Sequence, residues 1–510
     1  MKKIFFLLAF TSLLSCVSVK KYNERLEKPL STEKLKQDVD FTHQKLQKLH
    51  PNLYWYISKE QLDYKFDSLK TNISKPLKPS EFYLKLAPII ADIKEGHLRL
   101  LPLEKKLTKR EIKKLKNQKG LLGRFNYYVE KDKLYIKDNP EKIAKIKSGT
   151  EILSINNELI SDIFAKYKSL VTSDGENKTF NKYALARRFS TFFTLEHGIL
   201  DSAKIDVKFN DSIKTFTLRR ETKTVEDKKK EKLEKKPTQE KKTKDYNPIT
   251  KSFNRNLQFL DKDSSIAFIK IKSFSGTYSR KFYKESFATL KKAKTQYLIL
   301  DIRDNLGGSL AEINNLYTYF VKEKFKFIND IEVSGKTSIL SSNYLSNYSI
   351  FTKPIGIVTY PIFALTSLAS IKKVNNKFFV RNIFPSKNPK KDAFYGKTYV
   401  LINGSSFSAS SIISSKLKND HLATLVGEET GGANDGTVAG IYSTQKLPNS
   451  KMKLPIGLFL IQPNIEFTNT KKGVTPDVEI LPELKDIFDK KDLQLNWILE
   501  DIKKQKTSHE

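Results

Sequence analysis

Cysteine occurs once in 510 residues, methionine and tryptophan twice each, and histidine six times. A lone cysteine excludes an intramolecular disulfide and leaves no second thiol for metal or redox work. There is no HExxH segment, no Cys/His cluster and no GxxxxGK followed by Ser or Thr, so neither metal nor nucleotide cofactor is expected. Acidic residues are also scarce. Fifty-seven Asp and Glu stand against 92 Lys and Arg, a formal charge of +35. A surface of that sign favours anionic partners. Nucleic acid is not expected among them, because zinc-finger, RNP and basic-helix patterns are all missing. Anionic headgroups or cell-wall polymers fit better, as does a Lys-rich surface that serves only solubility. Hydrophobic residues make up 39% and aromatics 11% of the chain, enough for packed cores in two to four domains.

The N-terminus is distinctive. A positive Met1-Lys2-Lys3 precedes Ile4 to Leu14, which is almost wholly apolar, as long as a signal-peptide core and too short to span a bilayer. It runs into Leu13-Leu14-Ser15-Cys16, which resembles a bacterial lipobox. The resemblance implies a signal peptide over 1–15, removed so that Cys16 becomes a lipidated N-terminus on a tether over 16–30. Several acyl chains would make that attachment stable where one is marginal. The expectation is an exported lipoprotein anchored in the cell envelope, on the periplasmic or surface side of the outer membrane. Processing removes Lys2 and Lys3 and no acid, leaving +33.

Composition divides the rest. Residues 17–30 are polar, charged and aperiodic. Residues 31–118 carry helical spacing, with a breaker at His50-Pro51-Asn52. Residues 119–222 read as short strands and turns, with a hairpin about Asn210-Asp211-Ser212 and an uncertain layout over 161–201. Their Ile146 to Asn157 segment resembles a PDZ sequence, which implies strand addition of an extended peptide; a generic small β domain is the plainer reading. Lys223 to Lys244 holds ten Lys and five Asp or Glu but only Val225 and Leu233 as apolar side chains, the composition of a disordered linker, placed at 223–250. From 251 to 490 strands and helices alternate, and 491–510 is a C-terminal helix or tail. Tyr297 to Asp301 and Thr398 to Ile402 are continuous apolar strands fit for a buried parallel sheet. Further strands are expected at 355–360 and 377–383.

Four segments carry chemistry. In Asn403-Gly404-Ser405-Ser406-Phe407-Ser408-Ala409, a buried strand ends in a turn and a helix starts at Ser408. A hydroxyl there is either a helix cap or a nucleophile beside free N–H groups. Asp301 to Gly308 is a second strand end, closing in paired glycines that let backbone approach a ligand. Val426 to Gly432 is a third, and Glu95-Gly96-His97 sets a histidine after a glycine turn.

In that order the four segments resemble the tail-specific, or carboxyl-terminal processing, serine protease family (S41), over about residues 31–480. The resemblance implies a multidomain α/β protein: an N-terminal helical region, a PDZ-like β-rich module, and a ClpP/crotonase-like catalytic domain. It implies Ser408 as nucleophile. The oxyanion hole falls to the N–H of Ser408 itself or of Ala409, together with Gly307 or Gly308. Many relatives take a lysine 25 residues after the serine as base, and here that position is Ala433. The tricorn-like branch uses a Ser-His pair, which implies His97, whose neutral imidazole suits general-base work near pH 7. A third group should orient the imidazole; Glu466 is assigned, with Glu95 as the alternative. Departures from the family pattern stand at Glu95, Leu306 and Ser411.

The expected activity is therefore hydrolysis of extended or unfolded peptides. Two other readings remain: a catalytically silent peptide-binding lipoprotein, and a hydrolase of another ester or amide class.

Overall fold

A computed structural model describes residues 18–140, 146–224, 245–247, 252–276, 278–349, 351–466 and 471–507. The lipobox, Cys16 and all but the first two residues of the Lys-rich segment at 223–244 lie outside them.

The N-terminal part is helical: α1 (Val19–Glu27), α2 (Thr32–Leu49), α3 (Lys59–Asn72), α4 (Pro79–Ala91) and α5 (Lys109–Lys116). Helix α1 replaces most of the aperiodic tether expected at 17–30. Ser18 caps it by accepting from the Lys21 N–H, and Val19, Tyr22 and Leu26 form a half-buried stripe at helical spacing. Helix α2 ends at His50, which is followed by Pro51; α3 starts in a Ser58/Gln61 capping box. Leu35, Val39 and Leu46 of α2, with Leu62 and Phe66 of α3 and Phe82, Leu86 and Ile90 of α4, are buried in one core.

The next part is an antiparallel sheet. Strands β1 (Asn126–Glu130), β2 (Lys133–Asp138), β3 (Thr150–Ile155), β4 (Glu158–Leu159), β5 (Ser202–Phe209) and β6 (Ser212–Arg219) lie in the order β1-β2-β3-β5-β6, with β4 beside β3. The uncertain stretch at 161–201 is two helices, α6 (Ile160–Lys168) and α7 (Thr179–His197), inserted between β4 and β5.

A short pair, β7 (Tyr246–Asn247) and β8 (Ser252–Phe253), leads into the α/β part. Its elements are β9 (Arg255–Phe259), β10 (Ile266–Ile271), α8 (Ser279–Lys292), β11 (Tyr297–Asp301), α9 (Leu310–Tyr317), β12 (Ile331–Val333), α10 (Lys353–Ser370), β13 (Ile371–Val374), β14 (Lys377–Val380), β15 (Lys397–Ile402), α11 (Ala409–Asn419), β16 (Thr424–Gly427), β17 (Thr437–Lys446), β18 (Lys453–Ile461), β19 (Val478–Glu479), α12 (Leu484–Phe488) and α13 (Leu493–Thr507). One sheet runs β19-β16-β15-β11-β10-β9, parallel except for the edge strand β9. Every residue of β11 is buried, as both-face coverage of a parallel sheet demands. A second sheet, β13-β14-β12-β18-β17, is antiparallel throughout.

Residues 355–360, expected as a strand, belong to α10. Their β-branched run of Ile355, Ile357, Val358 and Thr359 imitates a strand. The longer spacing of Ile355, Val358, Ile362 and Leu365 is helical.

A buried ionic cluster fixes the start of α9. Arg255 donates from Nε to Glu312 at 2.9 Å and pairs with Asp245 through Nη1, while the Tyr283 hydroxyl donates to Glu312 at 2.7 Å. None of the three charged side chains is more than 4% exposed. Removing one member leaves uncompensated buried charge, so Arg255→Met should cost about 3–5 kcal/mol. Urea denaturation of the purified variant checks this: a midpoint equal to that of the wild type would refute a stabilising role.

Candidate active site

The parallel sheet delivers three turns to one edge. Strands β11, β15 and β16 end in Asp301 to Gly308, Asn403 to Ser408 and Gly427 to Gly432, at the carboxyl edge where α/β sheets form clefts. Asn403 ties two of the turns together, accepting from the Asp304 N–H at 3.0 Å and donating to its carboxylate at 3.1 Å. Asp301 anchors the base of the same turn. Burial works to raise its pKa, but hydrogen bonds and charge from Arg303 and Lys270 prevail and hold it below the usual carboxylate range.

Ser408 stands at the N-cap position of α11 with φ 58° and ψ −119°, and its side chain makes no capping bond. A non-glycine residue held there stores about 1–3 kcal/mol of backbone strain. The hydroxyl turns instead to His97, with Oγ 3.1 Å from Nε2. The two residues are 311 positions apart, and the structure brings them within hydrogen-bond reach. Beneath them, Ser410 and Ser411 of α11 are buried and donate to the Asn305 and Ser406 carbonyls.

The imidazole is held on three sides. Phe407 stacks on the ring, with centroids 4.7 Å apart, and Phe180 stacks on Phe407. His97 Nδ1 lies 2.9 Å from Thr437 Oγ1, and that hydroxyl donates to Glu95 Oε1 at 3.1 Å. A hydroxyl that gives its only proton to Glu95 must accept from Nδ1–H. This puts the ring proton on Nδ1 and leaves the Nε2 lone pair facing Ser408. Glu95 Oε1 is 3.7 Å from Nδ1, so Thr437 is the direct contact and Glu95 stands behind it.

Glu466 does not take this place. It is exposed and lines a pocket with Ser415, Lys418 and His421 at the C-terminal end of α11, some eleven residues, or about 16 Å, along the axis from Ser408. The orienting role assigned to it is replaced by Thr437 with Glu95 behind it.

A second carboxyl completes the site. Asp174 accepts from the Gly96 N–H at 2.6 Å and from the Ala433 N–H at 3.2 Å. Ala433 is where a lysine base would stand; here its backbone serves the histidine loop instead. Ligand atoms of Glu95, His97 and Asp174 lie within 4.8 Å of one another. Their titrations are displaced accordingly. Burial raises Glu95 to about 7 against the hydrogen bonds it accepts, and burial followed by the Glu95 charge raises Asp174 well above the carboxylate range. Burial lowers His97 and Arg99 adds to that, while Asp174 opposes it. Two carboxylates and an imidazole are also cation-ligand chemistry, yet each here already faces a donor or the Ser408 hydroxyl.

Gly307 cannot serve the oxyanion role assigned to it, because its N–H donates to Asn305 Oδ1 at 2.9 Å. Its contribution is closeness: a Cβ there would lie 2.8 Å from Ser408 Cβ. The N–H groups of Gly308 and Ala409 donate to no acceptor among the described residues. Gly308 pairs with Phe274 through its two neighbours, so its own N–H points away from that strand.

Thr437 and Asp174 were missed in the sequence. Thr437 has no local mark beyond following Asn434-Asp435-Gly436. Asp174 lies in Ser173-Asp174-Gly175, which has the form of an ordinary turn.

A serine hydroxyl on an oriented imidazole, beside two unused backbone donors, is the constellation of a serine-type hydrolase. Residues 265–480 match the sequence profile of Peptidase family S41. Two structures of mature CPAF resemble the chain over nine-tenths or more of its length. The complex with lactacystin is 16% identical, with 93% of this chain and 98% of that one covered at a TM-score of 0.60. The other is 15% identical, covering 90% and 94% at 0.56. No curated protein matches the sequence. The chain carries an S41-family peptidase domain and is a serine-type hydrolase of mixed α/β fold.

Glu95 gives a pH test. Its proton is bound more tightly in the fold than in the unfolded chain. That stabilisation is complete below the ordinary value of 4.5 and is lost as pH rises through about 7. The wild type should lose on the order of 3 kcal/mol from this group across that window. Glu95→Gln, which cannot titrate, should gain on the wild type between pH 5 and pH 7.5. Urea titrations of both proteins at the two pH values measure the difference, and parallel pH dependence would show that Glu95 has an ordinary pKa.

Proposed function

We propose that this protein is a serine endopeptidase of the cell envelope, in which Ser408 is the nucleophile and His97 the general base. One observation carries the reading: the 3.1 Å approach of Ser408 Oγ to His97 Nε2 while Thr437 holds Nδ1. Ser408 attacks the peptide carbonyl and its proton passes to Nε2. The Gly308 and Ala409 N–H groups receive the oxyanion, and the imidazolium returns its proton to the departing amine. Water then cleaves the acyl-enzyme by the same route.

The departures from the family pattern fit this chemistry. Glu95 reaches both the Thr437 hydroxyl and the Val438 N–H, and Ser411 accepts from the Gly432 N–H at 3.1 Å. Glu95 and Ser411 thus each have a structural task beside the pair, which favours an active enzyme over a silent binding protein, while the third departure, Leu306, is exposed and has none. The β1–β6 sheet is the PDZ-like module of this reading and takes extended substrate by strand addition. Lipidation at Cys16 holds the enzyme at the membrane.

A fluorophosphonate probe should label the wild type and leave Ser408→Ala unlabelled, with casein hydrolysis lost in parallel. Labelling of Ser408→Ala at the wild-type level would remove Ser408 from the mechanism. An intact wild type that neither labels nor cleaves casein would remove the peptidase assignment itself.

Thr437→Val keeps the side-chain shape and deletes the hydroxyl. Losing one hydrogen bond to a group that becomes charged should lower kcat/KM about 10- to 100-fold. The loss should fall on kcat with KM little changed. An effect confined to KM would assign Thr437 to substrate binding instead.

A further inference from the structure

Helix α10 is the anomaly of the surface. Only Gly356 of its 18 residues is buried. Its inner face is held by aromatic packing: Tyr344 stacks on Phe363 at 4.3 Å and its hydroxyl bonds Thr359, while Tyr348 fills the space a Gly356 side chain would need. The outer face is a ridge. Ile355, Val358, Ile362 and Leu365 recur at intervals of three and four residues and are 58–75% exposed, and Phe351, four residues before Ile355, is 90% exposed. Scattered exposed apolar residues are normal, but an ordered ridge marks a contact surface.

Charge indicates the contact. Residues 333–391 contain nine Lys and Arg and no Asp or Glu. Lys353 opens the helix and Lys372 and Lys373 follow its end. All three are exposed and form no ion pair among the described residues. An apolar ridge flanked by unpaired lysines is the pattern of a helix lying in the plane of an anionic bilayer. The helix is not long and apolar enough to cross one.

We propose that the outer face of α10 docks on an anionic lipid surface, with Phe351, Ile355, Val358, Ile362 and Leu365 entering the acyl boundary and Lys353, Lys372 and Lys373 meeting the headgroups. A second copy of the chain is the poorer occupant. The ridge is one side chain wide and about 15 Å long from Ile355 to Leu365. A stable protein interface buries about 800 Å² on each partner. A two-fold contact along the ridge would also bring the lysines at the ends of one copy near those of the other, with no acid in the segment to relieve them. The consequence for the enzyme is geometric. Asn343, next to the α10 packing, bonds Thr444 on β17, seven residues from Thr437 at the site. Docking therefore sets the Ser408–His97 pair within a few tens of ångströms of the bilayer, about 23 Å of strand separating Thr437 from Thr444.

Because Cys16 is the only cysteine, the full chain with Cys16→Ser accepts one chosen thiol. Leu365→Cys and, as control, the exposed Tyr64→Cys on α3 are each labelled with an environment-sensitive fluorophore and mixed with phosphatidylcholine vesicles containing 0 or about 30% phosphatidylglycerol. The label at position 365 should blue-shift on the anionic vesicles and the label at 64 should not. Replacing Lys353, Lys372 and Lys373 by Glu should weaken the vesicle affinity at least tenfold. No shift at 365, an equal shift at 64, or an affinity indifferent to charge reversal would overturn the proposal. So would a shift without vesicles that grows with protein concentration, which would identify a second copy as the occupant. The readout is independent of catalysis.

Discussion

The site depends on one buried carboxyl group. Asp174 sits about a third of the way along the chain, just ahead of α7, and accepts hydrogen bonds from Gly96 in the N-terminal helical part and Ala433 in the α/β part. Three segments far apart in sequence are thereby fixed to one side chain. Space reinforces the bonds, since a Cβ on Gly96 would meet Phe407 at 2.7 Å and Asp174 at 2.9 Å. His97 follows directly, so its position is set by backbone donors converging on a buried acid. Burying that acid is costly, which is why its pKa stands well above the carboxylate range, and the two backbone N–H bonds it accepts offset part of that cost.

Close approach is the second constraint, and it explains the residue types at the turns. Gly307 lies so near Ser408 that a methyl group would collide with backbone and side chain alike. Gly308, Gly427 and Gly436 have positive φ and carbonyl oxygens within 2.4 Å of where a Cβ would stand. Serine fills the same need inside α11. Ser410, Ser411 and Ser414 are small enough for a helix buried from Ala409 to Leu417 to press against the turns, and their hydroxyls take up neighbouring carbonyls.

What could be read from the sequence follows from how local its cause is. Tyr297 to Asp301 announces a buried strand because every residue is covered on both faces, and burial alone sets that composition. The placing of Ser408 and His97 in one site came from the order of four motifs, since nothing local links residues 311 apart. Asp174 and Thr437 carried no signal because their roles rest on donors supplied from elsewhere in the fold. Glu466 was assigned by its place shortly before Gly473 to Asp477, a segment that resembles the closing motif of the family, and chain order does not encode distance. The misreading at 355–360 has another cause: β-branched residues in α10 lie on a helix whose outer face is uncovered, so the usual contrast between apolar inside and polar outside is missing.

The electrostatics of the site form one system. Glu95 and Asp174 are both desolvated, which opposes the ionisation of each, and a charge on Glu95 opposes that of Asp174 further. His97 resists protonation because it too is desolvated. These tendencies relieve one another when a positive charge appears between them. As the imidazole takes the Ser408 proton in the proposed reaction, the carboxyl pair gains a cation within 4.8 Å, with Thr437 in place to carry the Nδ1 hydrogen bond. The resting state therefore keeps the base neutral, and the transition state receives the charge that the surrounding acids lack. This gives the length of the Glu95 side chain a use beside the glycine turn. From there Glu95 reaches the Thr437 hydroxyl and the Val438 N–H together, where it acts on the imidazole through a neutral bridge.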